Sequence, residues 1–277
     1  MQTINCKGTL IDLSTPKVMG IINVTPDSFY DGGVTTSEML VLEQASRMLQ
    51  DGATFLDVGG YSSRPDATDI SEQEEIDRVV PAINAIVKKF PKVNISIDTF
   101  RSKVAKEAIA AGACMVNDIS AGKLDSSMLN VVATAQVPYI MMHMRGTPQT
   151  MKSFSAYENI TKEVLFYFSE RLAKARSFNI NDLIVDPGFG FAKTSEQNFE
   201  LLQHLELFDT LGVPLLAGVS RKSMIYKTLD ISAKEALNGT TALHMVALQK
   251  GASILRVHDV KEAVECVQLF EQLKRHL

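Results

Sequence analysis

The chain has 277 residues, of which 45% are hydrophobic and 22% charged, and its formal net charge is -4 at pH 7. These values are ordinary for a soluble globular protein with a large core, and they exclude a broad basic surface for nucleic acid. The three cysteines, Cys6, Cys114 and Cys266, show no C-x-x-C spacing, which argues against a disulfide framework or a thiolate zinc site. Without a signal-peptide pattern or an apolar run of about 18 residues, we expect a cytoplasmic protein that makes no membrane contact.

The first elements are a predicted hairpin and a strand. Residues 1–14 alternate loosely between apolar and polar side chains around Lys7 and Gly8, which predicts a small N-terminal β-hairpin. An apolar run at 18–23 follows, ends in Asn23, and leads into a loop rich in Gly, Pro and Asp. Seven further apolar runs come later in the chain, at 55–60, 93–99, 115–119, 138–143, 183–191, 214–220 and 253–259.

A helical pattern follows each apolar run. The second helix starts with a predicted capping box, Ser71 to Glu74, and Pro81 inside it predicts a kink or a restart. The helices are predicted over 37–51, 71–90, up to Gly112, 126–135, 157–178, 196–211, from 223 to 250, and from 260 onward. Eight strand-helix units predict an α/β fold, a (β/α)₈ TIM barrel that forms one domain over 1–277. A doubly wound sheet is the main alternative, but G-x-G-x-x-G and the P-loop pattern are absent.

Polar side chains end the predicted strands, where (β/α)₈ barrels place their chemistry. Asp98, Asn117, Asp186 and Lys222 supply two carboxylates, an amide and an ammonium group. Around one dry cavity, they suit a flat heterocycle rich in hydrogen-bond donors and acceptors. A helix N-cap at Asp98 and a turn at Asp186 are the simpler interpretations of each carboxylate taken alone.

A second group of polar residues is cationic. Arg221 and Lys222 stand at a helix start, where cations oppose the helix dipole, so contact with an anionic ligand is favoured. Ser220 before them is a hydrogen-bond donor for a carboxylate, or an ordinary N-cap. Arg256 and His258 are two residues apart on one strand and therefore point the same way, into the barrel.

Together with Arg64 and Asn23, Arg256 and His258 predict a site for phosphate groups. A structural pairing with Asp57 or Asp259 is the alternative, because buried charges commonly pair within the protein.

Several motifs in order carry a family resemblance. They are residues 19–33, DVGGYSSRP at 57–65, IDTFR at 97–101, VND at 116–118, DPGFGF at 186–191, GVSRK at 218–222 and RVHDV at 256–260. This set resembles the dihydropteroate synthase family of folate biosynthesis over nearly the whole chain. The resemblance implies a transferase that condenses 6-hydroxymethyl-7,8-dihydropterin diphosphate with 4-aminobenzoate, with Mg²⁺ as cofactor, and releases 7,8-dihydropteroate and pyrophosphate.

The resemblance also implies residue roles. The pterin-binding residues are Asp98, Asn117, Asp186, Lys222, Arg256, Met142 and Gly218. The diphosphate-binding residues are Asn23, Ser63, Arg64, Arg256 and His258, with Asn23 also contacting the metal. The 4-aminobenzoate-binding residues are Phe29, Ser63, Pro65, Phe191 and Ser220, completed by mobile loops at about 24–36 and 61–71. Asp98, Lys222 and Arg256 are the residues implied to be catalytic.

The implied reaction is SN1-like: pyrophosphate departs first, and Asp98 stabilises the pterin cation before the arylamine attacks. Inhibition by sulfonamides and a homodimer formed by outer helices are further expectations from the resemblance. The chain has Tyr61 and Ser63 where the commoner family motif has an acidic residue and a threonine. The alternatives are a pterin-binding methyltransferase-type domain, a non-catalytic pterin-binding homologue, and a Schiff-base aldolase, which is disfavoured because no lysine lies inside a predicted strand.

Overall fold

The computed structural model describes residues 2–24, 33–63 and 68–276, with side chains from residue 38 onward in the second range. Thr3–Cys6 (β1) and Thr9–Asp12 (β2) pair antiparallel as the predicted hairpin. The parallel strands that follow are Lys17–Asn23 (β3), Phe55–Gly59 (β4), Asn94–Asp98 (β5), Met115–Asp118 (β6), Tyr139–Met142 (β7), Leu183–Asp186 (β8), Leu216–Ala217 (β9) and Ile254–Val257 (β10). They form a sheet in the order β8-β7-β6-β5-β4-β3-β10-β9, and a bridge between Val185 and Leu215 closes it into a barrel. The predicted (β/α)₈ architecture is confirmed.

The helices surround this barrel. They are Gly33–Gln50 (α1), Glu72–Lys89 (α2), Ser102–Ala111 (α3), Met128–Ala135 (α4), Ile160–Ser177 (α5), Ser195–Gln203 (α6), Ser223–Thr228 (α7), Leu237–Gln249 (α8) and Val260–Lys274 (α9). The single helix predicted over 196–211 is instead α6 followed by a 3₁₀ segment, Leu205–Leu211. Leu205 and Phe208 are both buried there, and their spacing of three residues matches the tighter helix. No helix among the described residues combines the length and apolar character that a membrane crossing requires.

The start of α2 and its proline differ partly from prediction. The Ser71 hydroxyl accepts from the Glu74 backbone N–H at 3.1 Å, which confirms the N-cap. The Glu74 side chain pairs with Arg78 instead of completing a capping box. The predicted restart at Pro81 is wrong, because α2 runs through it. Pro81 lies on the exposed face, where water can reach the Asp77 carbonyl that loses its donor.

Two hydrophobic cores leave one end of the barrel polar. Outward-facing side chains such as Val18, Ile22 and Val58 pack against the helices. The lower barrel is filled by inward-facing strand side chains, which are Met19, Phe55, Met115, Ile140, Ile184, Leu216 and Ile254. The same cluster includes Cys114 and four side chains of the N-terminal segment: Ile4, Cys6, Ile11 and Leu13. The hairpin is tied to this end by the Asn5 N–H, which donates to Asp182 at 2.9 Å. Polar inward positions are therefore left for the C-terminal ends of the strands, which we call the barrel mouth.

Candidate active site at the barrel mouth

Side chains from four barrel strands meet in a polar cluster, in which Asp57 and Asn117 are buried and Asp98 and Arg256 are partly exposed. Arg256 on β10 donates from Nε to Oδ2 of Asp57 and from Nη2 to Oδ2 of Asp98, both at 2.6 Å. Asn117 on β6 donates from Nδ2 to the same Asp57 oxygen at 2.9 Å. The cluster brings together three residues that the sequence predicts for a heterocycle. The pairing of Arg256 with Asp57, which was the alternative to a phosphate-binding role, is also present. Arg256 therefore bonds both Asp57 and Asp98.

The charge on Asp98 depends on its surroundings. Burial raises the pKa of Asp98 to about 7; the Arg256 guanidinium opposes this shift, and the neighbouring Asp57 carboxylate adds to it. Asp98 therefore changes between its neutral and ionised forms near physiological pH.

Asp186 lies on the opposite wall, at the end of β8. Its Oδ1 accepts from the Gly188 N–H at 2.8 Å, so the predicted turn interpretation is correct as well. Burial raises the pKa of Asp186, and the Gly188 bond opposes that shift. Gly188 has a φ of +71°, and a Cβ there would lie 2.2 Å from the His143 carbonyl oxygen, so only glycine fits. A Cβ at Gly218 would lie 3.8 Å from Oδ2 of Asp186, so Gly218 leaves space beside this carboxylate.

Lys222 and Phe191 join the loops after β8 and β9. The Lys222 ammonium lies over the Phe191 ring, with Nζ 4.5 Å from the centroid. Met142 ends β7 opposite Asp186 and belongs to a small apolar cluster against which Phe191 packs. A predicted pterin contact, Lys222, is thus adjacent to a predicted 4-aminobenzoate contact, Phe191.

Ser220 and His258 form a pair at the mouth. The Ser220 hydroxyl lies 3.0 Å from Nδ1 of His258 and accepts from the His258 backbone N–H at 3.2 Å. The N-cap of α7 is Lys222, so the N-cap interpretation of Ser220 is wrong. One side of His258 is open, yet the protein packed around the ring, and then the Arg256 charge, lower its pKa to about 4. At neutral pH, His258 can offer a phosphate a hydrogen bond but no full charge.

Arg221 was predicted to contact an anionic ligand, but it pairs with Asp259 instead. Its guanidinium makes two bonds of 2.8 Å to the Asp259 carboxylate and donates to the Ala233 carbonyl at 2.9 Å. The cation is thus satisfied by an acidic residue that follows the next strand, and it fixes the chain between α7 and α8.

The remaining predicted positions are only partly described. Asn23 ends β3 and is exposed; its side-chain amide has no hydrogen-bond partner within residues 2–24, 38–63 and 68–276. Ser63 is partly buried in the segment after β4. Phe29, Arg64 and Pro65 lie outside the described residues, as do most of the predicted loop at 24–36 and the centre of the loop at 61–71.

A partly buried lysine near Asp186, Lys193, was missed in the sequence. Nζ of Lys193 lies 3.0 Å from Nδ1 of His143 and donates to the carbonyls of Gly188 and Phe191 at 2.9 and 3.0 Å. Burial lowers the pKa of Lys193 to about 7 and that of His143 well below its usual range. Lys193 therefore braces the glycine-rich loop that carries Phe191. Its place two residues after DPGFGF was the available sequence signal.

A second missed residue, Arg101, holds both flanks of the loop at 61–71. It donates to Glu75 at 2.9 Å and to the Ile70 carbonyl at 2.7 Å. Its guanidinium also lies over the Tyr61 ring, 5.1 Å from the centroid. Tyr61, which departs from the commoner family motif, is therefore an anchor for this loop.

Known proteins share both sequence and structure with this chain. Residues 19–258 match the family described as "Pterin binding enzyme". Dihydropteroate synthase of Escherichia coli (strain K12) is 43% identical over 267 residues, which span 96% of this chain and 94% of that protein. The structure of Xanthomonas albilineans dihydropteroate synthase with 4-aminobenzoic acid superposes with a TM-score of 0.92, at 38% identity and 98% coverage of both chains. A Yersinia pestis dihydropteroate synthase in complex with a sulfonamide drug gives a TM-score of 0.92, at 39% identity and 100% coverage of both chains.

The closed barrel, the buried carboxylates and amide at its mouth, and the family match define a pterin-binding enzyme. The relatives align almost end to end, and their identity is far above the level at which only a fold is shared. The chain belongs to the dihydropteroate synthase family.

Proposed function

We propose that the barrel mouth condenses 6-hydroxymethyl-7,8-dihydropterin diphosphate with 4-aminobenzoate, giving 7,8-dihydropteroate and pyrophosphate. The observation that carries this function is the convergence of Asp98, Asn117 and Arg256 in one buried cluster, with Asp186 on the facing wall. A pterin carries ring N–H and amino donors beside carbonyl and ring-nitrogen acceptors. Carboxylates, an amide and cationic donors provide partners for both kinds of group in a site that excludes water.

The chemistry breaks one bond and forms another at the exocyclic methylene carbon of the pterin. The C–O bond to the diphosphate breaks, and its electron pair leaves with pyrophosphate. The resulting cation is delocalised over the pterin, and ionised Asp98 stabilises it electrostatically. The 4-aminobenzoate nitrogen then forms the C–N bond and loses a proton to solvent or pyrophosphate. Because the aminium proton is acidic, no strong general base is required.

Arg256 and His258 are candidates for the diphosphate, and the resemblance adds Asn23, Ser63 and Arg64 to them. The side-chain carbonyl of Asn23 is a hard oxygen donor, which fits Mg²⁺ held mainly by water and substrate phosphates. When bound, Mg²⁺ would neutralise negative charge on the leaving pyrophosphate.

Phe191 and Ser220 are the described candidates for 4-aminobenzoate, with Phe29, Ser63 and Pro65 completing the site. The Phe191 ring offers an apolar surface to the arene. The Ser220 hydroxyl can donate to the carboxylate, since the His258 ring nitrogen beside it can act as acceptor or donor.

A homodimer is part of the proposal. The outer helix α9 exposes Leu269 and Leu273, which are four residues apart and share one face. Apolar side chains on one helix face support a contact between copies of the chain. Sedimentation of the wild type and of Leu269→Glu/Leu273→Glu tests this, because the double variant should lower the measured mass by half. The cytoplasmic location stays a prediction.

The decisive experiment measures pyrophosphate release from the purified protein with dihydropterin diphosphate and Mg²⁺, with and without 4-aminobenzoate. We expect release coupled one to one with dihydropteroate, measured by chromatography, and inhibited competitively by a sulfonamide against 4-aminobenzoate. Pterin binding without release in either condition would instead favour a non-catalytic pterin-binding protein.

A further inference from the structure

We propose that Asp57 is a positioning residue of this reaction, which holds Arg256 and Asn117 in place and prevents Arg256 from neutralising Asp98. The proposal rests on the proposed function and extends it to a residue that had no expected role in the chemistry. Asp57 lies on β4, is fully buried, and points into the barrel in register with Ser96 of β5. From there, it contacts two pterin-binding candidates, Arg256 and Asn117, and has no surface exposed to solvent.

One oxygen of Asp57 ties two strands together. Its Oδ2 accepts from Nε of Arg256 at 2.6 Å and from Nδ2 of Asn117 at 2.9 Å. Both donors belong to side chains that need a defined orientation in the chamber, and each has several accessible rotamers without such a bond. A shift of Asp57 would therefore disturb two ligand contacts at once.

The second oxygen shows that the charge itself matters. Oδ1 of Asp57 has no hydrogen-bond partner in the described part of the chain, although the residue is inaccessible to solvent. A buried, half-satisfied carboxylate is costly, whereas a neutral amide would hold the same two donors at a smaller desolvation cost. The property that an amide would lack is the negative charge.

That charge divides Arg256 between two carboxylates. Nε binds Asp57 and Nη2 binds Asp98, so the three side chains together carry one net negative charge when both acids are ionised. Without the charge on Asp57, Arg256 and Asp98 would form a neutral pair. The site would then lose the negative potential that favours a pterin cation.

The test compares Asp57→Asn with Ser96→Ala. Ser96 is also fully buried in the same interior layer, and its hydroxyl has no described partner, so this control perturbs the layer without changing its charge. Carboxyl ¹³C NMR of the ligand-free protein, assigned with Asp98→Asn, follows the titration of Asp98. In Asp57→Asn, we expect the Asp98 midpoint to fall by at least about one pH unit, because a like charge is removed and Arg256 pairs with Asp98 alone. We also expect kcat to fall at least tenfold, whereas Ser96→Ala should change neither value.

An unchanged Asp98 midpoint with kcat and pterin affinity within twofold of Ser96→Ala would overturn the proposal. If Asp57→Asn does not fold, Asp57→Glu is the variant that tests the proposal. It keeps the negative charge but moves the acceptor oxygen. The proposal then requires an Asp98 midpoint near that of the wild type, together with a weaker pterin affinity. The NMR titration uses no substrate. A wild type that releases no pyrophosphate would therefore reject the proposed function, while the Asp98 midpoint would still judge the role of Asp57.

Discussion

The Lys222 ammonium lies over the Phe191 ring, 4.5 Å from its centroid, and this contact joins the two proposed substrate subsites. Lys222 is a candidate for the pterin, and Phe191 is a candidate for the arene. A change in the Phe191 ring should therefore weaken 4-aminobenzoate binding more than pterin binding. Lys193 braces the same loop from behind, so the loop itself should keep its conformation in a Phe191 variant.

Replacement of Phe191 should separate the two substrates kinetically. For Phe191→Ala, we expect KM for 4-aminobenzoate to rise roughly tenfold, which corresponds to a lost aromatic contact of about 1.5 kcal/mol. Pterin affinity, measured by calorimetry, should change less than threefold. Phe191→Leu is the control, since it keeps an apolar side chain, and it should lie between the wild type and Phe191→Ala. An equal loss of affinity for both substrates would contradict this assignment.

Replacement of Asp98 should remove catalysis without unfolding the protein. For Asp98→Asn, we expect kcat to fall by about 10²–10³, the usual effect of losing one electrostatic contact to a transition state. The melting temperature should be unchanged or higher, because burial disfavours the charge that the variant lacks. Pyrophosphate release and thermal unfolding measure the two effects. Full activity in this variant would exclude a role for Asp98 in stabilising the cation.

The pH dependence should show an acidic limb near neutrality. Only ionised Asp98 stabilises a cation, and burial raises its pKa to about 7, so kcat/KM should rise with pH through about that value. The effect on stability has the opposite sign. A raised native pKa stabilises the fold fully below the unfolded pKa of about 3.9, and this contribution is lost as the pH rises to about 7. A limb that remains near pH 4 would show that Asp98 is not the titrating group.

Removal of magnesium should abolish pyrophosphate release. A chelator should stop turnover, and added Mg²⁺ should restore it. In Asn23→Ala, we expect the Mg²⁺ concentration for half-maximal rate to rise several-fold, since one oxygen ligand is missing. Asn94→Ala is a matched control, because Asn94 begins β5 at the opposite end of the barrel and donates to the Thr54 carbonyl. Equal shifts in both variants would argue against Asn23 as a metal contact.

The Arg101–Glu75 ion pair should matter for stability far more than an exposed pair. Glu75 is fully buried, so Arg101→Leu leaves an uncompensated carboxylate and should destabilise the fold by about 3–5 kcal/mol. Glu74→Ala breaks the partly exposed pair with Arg78 from its exposed side and should cost less than about 1 kcal/mol. Adding Glu75→Gln to Arg101→Leu should recover part of the loss. Urea unfolding measures all of these variants, and equal effects for Arg101→Leu and Glu74→Ala would refute the distinction.

Local sequence patterns were sufficient to predict the barrel and the residues at its mouth. Apolar runs and helical spacing predicted the strand-helix units, because each pattern lies within a few consecutive residues. The spacing of Arg256 and His258 likewise predicted that both enter the barrel; Arg256 does so from β10, whereas His258 lies just after β10 and is exposed. Pro81 misled the prediction, since its effect on α2 depends on which face meets water.

Contacts between distant strands could not be predicted in the same way. The sequence offered Asp57 and Asp259 as possible partners of Arg256 without deciding between them. That Arg256 bonds Asp57 and Asp98, while Arg221 bonds Asp259, depends on which side chains the closed sheet brings within bonding distance. Lys193 was overlooked because a single lysine after a glycine-rich motif is uninformative until the carbonyls that surround it are known.

The N-terminal hairpin closes the end of the barrel that lies opposite the barrel mouth. Ile4, Cys6, Ile11 and Leu13 fill its lower end with tightly packed apolar atoms. In the part of the chain that the structure describes, substrates and products must therefore enter and leave at the opposite end. Dihydropteroate has to leave before another pterin can enter. The product therefore competes with the pterin substrate for the opening as well as for the pterin-binding residues. We therefore expect release of the product through this opening, as well as bond breaking, to limit turnover.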